Sequence, residues 1–128
     1  MGLLQSIKQV FSNHCETSDE HQDLQLRTHY YKTTTAHTFT EVKKLIEGLD
    51  DFELLSATEE YGELSVNVKK GKKAFMVISI VSVRPFETAV DFSVTTETTL
   101  LPMDFGYSKA LVKKMYELLD KQMVLSKR

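Results

Sequence analysis

The residues able to do chemistry in this chain are scattered along it, not grouped. Four histidines (His14, His21, His29 and His37) and one cysteine, Cys15, are the first candidates for a metal or a nucleophile. Structural zinc sites draw their ligands from close Cys and His pairs, and no such spacing occurs here. The expected metal and cofactor content is therefore none. A Cys–His nucleophile pair needs a thiolate beside an imidazole, and His14, Cys15 and His21 lie in a polar stretch with no pattern to arrange one. Glu87, Asp91 and Glu97 alternate outward on one extended segment, which is the pattern of a solvated sheet face. No Gly-rich phosphate loop and no nucleophile elbow is present. Lys69, Lys70, Lys72 and Lys73 cluster around a single turn, where four charges could touch a phosphate. The most patterned local segment is Asp104-Phe105-Gly106-Tyr107-Ser108. It reads as a strand exit, a glycine turn and a helix start, where backbone N–H groups can receive an anion. Asp104, Gly106, Tyr107 and Ser108 are thus the candidate ligand-binding residues, with His29 or Tyr31 as neighbours.

The elements that must position these residues follow from hydrophobic periodicity. Leu3, Leu4, Ile7, Val10 and Phe11 recur at spacings of three and four, one face of a short N-terminal amphipathic helix. Residues 12–23 are polar and without period, a tether, so residues 1–23 form an N-terminal segment and 24–128 a single domain. Leu24 to Lys32 reads as a strand. Thr34 or Thr35 can cap a helix whose apolar stripe is Phe39, Val42, Leu45, Ile46 and Leu49. Phe52 to Thr58 is a strand, and Leu64, Val66 and Val68 alternate with polar residues in the next. Lys73 to Val83 and Phe86 to Leu100 complete a meander. After Pro102, the stripe Val112, Met115, Leu119 and Met123 marks a last helix, capped by Asp104 or Ser108.

Two-residue turns at Gly71-Lys72 and Arg84-Pro85 would set the register, because residues flanking such turns face the same side. Val68 then pairs with Phe75 and Val83 with Phe86. Phe75, Val77, Val81, Val90 and Phe92 fall on the helix-covered face, while Met76, Ile78 and Ile80 point the other way. The expected fold is an α+β two-layer sandwich. It has a mainly antiparallel sheet of about five strands, in chain order β-α-β-β-β-β-α, with two helices on one face. Met76, Ile78 and Ile80 would leave an apolar stripe for Leu4, Ile7 and Phe11, for a second copy of the chain, or for a membrane. Together these six are the candidate interaction residues. Lys8 is the helix's one positive charge, which argues against membrane contact.

The bulk properties bound the class. With 128 residues, 41% hydrophobic and 27% charged, the chain is long and apolar enough for one ordinary core. A net charge of −2 argues against nucleic acid as a partner. One cysteine forms no internal disulfide and fits a reducing, cytoplasmic location. No apolar run approaches the ~20 residues of a membrane span. Met1-Gly2 to Ser6 matches a myristoylation pattern, which loosely specified positions often do by chance.

Three stretches carry a resemblance. Asn13-His14-Cys15-Glu16-Thr17-Ser18 resembles an Asn-Cys-x-Ser-Ser stretch, with an inserted His. The helix at Phe39 to Leu49 with strands from Phe52 onward resembles the middle of the same family. Leu101 to Ser108 is similar to its Gly-Tyr-Ser-Asp-Leu-Gly-x-Asn stretch, with Asp104 and Gly106 in matching places. The chain thus resembles an uncharacterised family of short bacterial cytosolic proteins, and more distantly the domain of unknown function 1499 family. That family's Arg-Ser-x-Ser-Arg run is replaced here by Thr95-Thr96-Glu97-Thr98-Thr99. The resemblance implies fold and topology and assigns no reaction. The expected function is a non-catalytic module binding a protein or small molecule. The rival is a small enzyme or ligand-binding protein with its site near Asp104–Ser108. A concave pocket with converging polar groups would favour ligand binding, and a flat surface would favour an interaction module.

Overall fold

The computed structural model describes residues 14–69, 73–96 and 106–127. They form an α+β fold with a seven-stranded, mainly antiparallel sheet and two helices over one face. The strands are β1 (His14–Glu16), β2 (His29–Tyr31), β3 (Phe52–Thr58), β4 (Glu63–Val68), β5 (Ala74–Arg84), β6 (Glu87–Thr96) and β7 (Leu125–Lys127). The helices are α1 (Thr35–Glu47) and α2 (Tyr107–Gln122). Strand order is β3-β4-β5-β6-β2-β7, and β1 also pairs with β6. Both β1 and β2 run antiparallel to β6, so they act as one strand interrupted by an excursion over residues 17–28, and β7 pairs with β2 on its far side. The neck of the excursion is closed by Ser18 and Arg27, and a 3₁₀ turn at Leu24–Leu26 lies within it.

The strand count therefore exceeds the five expected. The segment read as a tether contributes β1, and the residues after α2 contribute β7. Neither signals itself, because a three-residue strand is too short for alternation to show. The expected N-terminal helix, with Leu4, Ile7 and Phe11, lies outside the described residues, as does Asp104.

The helices form for the reasons the sequence suggests. Thr34 caps α1, its hydroxyl accepting the His37 N–H at 3.1 Å, and Phe39, Val42 and Ile46 are buried beneath it. The last helix buries Leu111, Val112, Met115, Tyr116 and Leu119. Its N-cap is Gly106, at φ +83°, and buried Ser108 sits inside the first turn instead of capping it.

The register of β5 corrects the sequence expectation. Val68 lies opposite Ala74, Val66 opposite Met76 and Leu64 opposite Ile78. The β4–β5 connection thus spans residues 69–73 and is not a two-residue turn. An odd change in loop length moves every side chain of a strand to the other face. Met76, Ile78 and Ile80 are consequently core residues, exposed by 3% or less, and not an outward stripe. Phe75 and Val81 are instead 44% and 55% exposed. The physical reason is Ser79: the expected register would place its hydroxyl at the centre of the core between Val77 and Val81. Val90 and Phe92 are buried as expected. At the other hairpin the turn residues are Pro85 and Phe86, Arg84 pairs with Glu87, and an irregularity between Ser82 and Arg84 absorbs the extra residue. Phe86 has φ +58°, as the second central residue of a type II turn requires, and its ring is exposed.

Gly62 fixes the β3–β4 end of the meander. Its φ is +64°, and a Cβ there would stand 2.2 Å from the Ile80 carbonyl oxygen. The Gly62 carbonyl accepts the Ile80 N–H at 2.7 Å, so this close approach admits only glycine.

Candidate functional site

The described residues place their most concentrated buried polar chemistry between β2 and α2. His29 and Tyr31 lie two apart on β2, so both point to the helix-covered face, and both are buried. Asp120 comes from the last turn of α2. Its Oδ1 accepts the Tyr31 hydroxyl at 2.8 Å and lies 2.9 Å from His29 Nδ1. A carboxylate can only accept, so His29 carries a proton on Nδ1. Tyr116, one helical turn before Asp120, lays its ring on the His29 imidazole with centroids 3.7 Å apart and planes 11° from parallel. Its edge meets Phe92 at 4.9 Å, and its hydroxyl donates to the Val90 carbonyl at 2.7 Å.

The interrupted strand is held by a second polar group. Asp91 Oδ1 accepts the hydroxyls of Thr17 at 2.7 Å and Thr28 at 2.6 Å. Phe92 restores the interrupted ladder by donating its N–H to Thr17 Oγ1 and accepting the Thr17 N–H, each at 2.9 Å. The excursion is also tied to α2 by an ion pair between Asp23 and Lys109.

Between the 3₁₀ turn and α2 lies a pocket of about 460 Å³. Leu24, Gln25 and Arg27 line one wall, Lys113 and Glu117 the other, with His29, Tyr116 and Asp120 also lining it. The volume lies in the range of small-molecule sites. Two cations and two carboxylates thus face one concavity beside an aromatic ring. Among the described residues neither Lys113 nor Glu117 is held in an ion pair, although four residues apart on a helix they could reach each other. The Arg27 Nε–H donates to the His21 carbonyl at 2.9 Å, which fixes that side chain at the wall.

Electrostatics follow the burial. Burial is the main cause that pushes the Tyr116 hydroxyl well above its ordinary value near 10, and the Asp91 and Asp120 charges add to it. Hydrogen bonds from Thr17 and the His29 backbone oppose the shift without cancelling it. Burial also acts to raise Asp23, but the Lys109 ammonium and the Gln25 N–H outweigh it and hold the carboxyl below its usual range. At His21, burial outweighs the attraction of Asp23 and lowers the imidazole.

The structure separates the residues singled out from sequence. Gly106, Tyr107 and Ser108 stand at the start of α2, and the pocket opens further along the same helix, from Lys113 to Asp120. His29 reaches the pocket, whereas Tyr31 stands behind it on Asp120. Asp120, Tyr116, Lys113, Glu117 and Arg27 were not singled out. A signal existed for four of them: Lys113, Tyr116, Glu117 and Asp120 recur at helical spacing beside the apolar stripe of α2. Among the described residues no group of three or more His, Cys, Asp or Glu side chains could hold a metal ion. No described helix is long and apolar enough to cross a membrane. No family model, curated protein or solved structure matches the chain.

Proposed function

We propose that this protein is a non-catalytic binding protein for a small zwitterionic molecule, of the size and charge pattern of a free amino acid. One observation carries the reading. Arg27 and Lys113 face Glu117 and Asp120 across a single pocket with the Tyr116 ring beside them, and the two helix charges Lys113 and Glu117 are not spent on each other. A carboxylate would sit against the guanidinium and ammonium, and an ammonium against the two carboxylates. An apolar side chain would lie on Tyr116 and Leu24. His29 serves as a fixed surface: its Nδ1 proton is engaged by Asp120 and its face by Tyr116. The family that the sequence resembles has no assigned reaction, so the reading rests on the pocket. A single cysteine among 128 residues supports placing the protein in the cytoplasm.

A thermal-shift panel of free amino acids tests the reading. A molecule that binds only the folded state stabilises it, by about 2.7 kcal/mol at a hundred times its Kd. At least one amino acid should raise the unfolding midpoint, and Lys113→Ala and Glu117→Ala should each abolish the rise. No rise with any amino acid at millimolar concentration, or a rise that survives both substitutions, sinks the proposal.

A further inference from the structure

The helices cover one face of the sheet, and the other face is partly apolar. Cross-strand partners put its residues in rows. Asn67, Phe75, Thr95 and His14 form one row, Ser65, Val77, Ser93 and Glu16 the next, and Val81, Ala89 and Tyr30 lie further along. Phe75 and Val81 are about half exposed and Val77 is half-buried. From Phe75 to Val81 the line along β5 is roughly 20 Å long, at ~3.4 Å per residue, with Ser79 and its row partners Glu63 and Asp91 interrupting it between Val77 and Val81.

The chain outside the described residues has a matching sequence, and it joins the sheet beside this line. Asn13 is bonded to His14, whose ring lies 2.6 Å from the Thr95 hydroxyl in the row of Phe75. Two strand spacings, roughly 10 Å, separate that junction from Phe75. Thirteen residues in helical form would span about 20 Å, the length of the apolar line. Leu3, Leu4, Ile7, Val10 and Phe11 recur at the three- and four-residue spacing of one helical face, and Ser12-Asn13 are residue types that favour a turn. Charge is complementary as well. Lys8 is the segment's one charged side chain, and Glu16, Glu63 and Asp91 stand on the open side of the sheet.

We propose that residues 1–12 of this same chain fold back over the open face, laying Leu4, Ile7 and Phe11 along Phe75, Val77 and Val81. The apolar line is then the seat of the chain's own N-terminal segment. The interaction expected of Leu4, Ile7 and Phe11 keeps its first partner and moves to the residues that the register of β5 turns outward.

A double-mutant cycle in the full-length chain tests this. Phe11→Ser removes the segment's largest apolar group, and Val81→Thr changes a methyl to a hydroxyl at constant β-branched shape. Val81 is exposed, so on a bare face its substitution would be close to silent and the protein would still fold. Each single variant should lower the unfolding midpoint by about 4 °C or more, and the double variant should fall no further than the larger single effect. The solution mass should be that of one chain throughout, and the protein should not sediment with phosphatidylcholine–phosphatidylglycerol vesicles. Silent or simply additive substitutions overturn the proposal. So does a two-chain mass that Phe11→Ser halves, which would assign the face to a second copy. Vesicle binding that Phe11→Ser abolishes would assign the segment to lipid, and overturns it equally.

Discussion

The two halves of the core solve the same covering problem with opposite chemistry. Under α1, which lies over β3, β5 and β6, the buried contacts are made by Phe39, Val42 and Ile46 against an apolar sheet surface. Under α2, which lies over β6, β1 and the 3₁₀ turn, the interior also holds His29 and Tyr31, with Asp120 as their shared acceptor. The α1 half is covered mainly by apolar burial, with Thr38 bonded to the Thr34 carbonyl. Polar groups carried inward have a desolvation cost that hydrogen bonds at best roughly offset. The α2 half carries polar groups that apolar covering alone does not call for, and it is the half with the pocket lined by Arg27, Lys113, Glu117 and Asp120.

The contrast predicts a graded set of effects. The largest belongs to the apolar half: Ile46→Ala removes a fully buried side chain and should cost roughly 2–5 kcal/mol by denaturant unfolding. It should leave ligand binding intact, since no residue of α1 lines the pocket. Next comes Asp120→Ala, which removes the acceptor shared by the Tyr31 hydroxyl and the His29 Nδ1 proton and should cost about 1–3 kcal/mol. Tyr31→Phe removes one donor and leaves Asp120 its other partner, so about 1 kcal/mol is expected. A cost for Asp120→Ala below that of Tyr31→Phe would mean that the polar half is not held by this carboxylate.

Two smaller effects appear in pH. Tyr116 is neutral in both states below pH 10, and above it only the unfolded state ionises readily. Stability should therefore fall as pH rises past 10, and Tyr116→Phe should flatten that decline. Because the chain has no tryptophan, the difference in tyrosinate absorbance between the protein and Tyr116→Phe reports this ionisation apart from that of Tyr30, which burial also pushes up, to about 12. Asp23 is the reverse case: its folded carboxyl is held low, so its contribution is present above the unfolded value near 3.8 and is lost as pH falls through the folded one. Lys109→Met should weaken that acid-side slope slightly, since the pair is partly exposed.

What the sequence disclosed follows the same division. Both long helices, the Thr34 cap, the span of β5 and the burial of Val90 and Phe92 were legible, because periodic apolar burial is a local signal. The register of β5 was not. That strand is apolar on both sides, so alternation offers two solutions, and only Ser79 at the centre of one of them distinguishes the pair. The polar half was less legible still. His29, Tyr31 and Asp120 are brought together by β2 and α2 pairing across about ninety positions of sequence, and no spacing rule reaches that far. The Asp104–Ser108 segment attracted notice for its local pattern, while Lys113, Glu117 and Asp120 on the same helix looked like an ordinary solvated flank.

Ring resonances test the binding claim at the site itself. The amino acid giving the largest thermal shift is titrated into the protein, and the imidazole signals of His14, His29 and His37 are followed with the Tyr116 ring by NMR. The account predicts that His29 and Tyr116 shift together along one saturation curve, while His14 and His37, exposed and absent from the pocket lining, stay in place. Shifts confined to His14 or His37, or saturation with the His29 and Tyr116 rings unmoved, would show that this pocket is not the binding site.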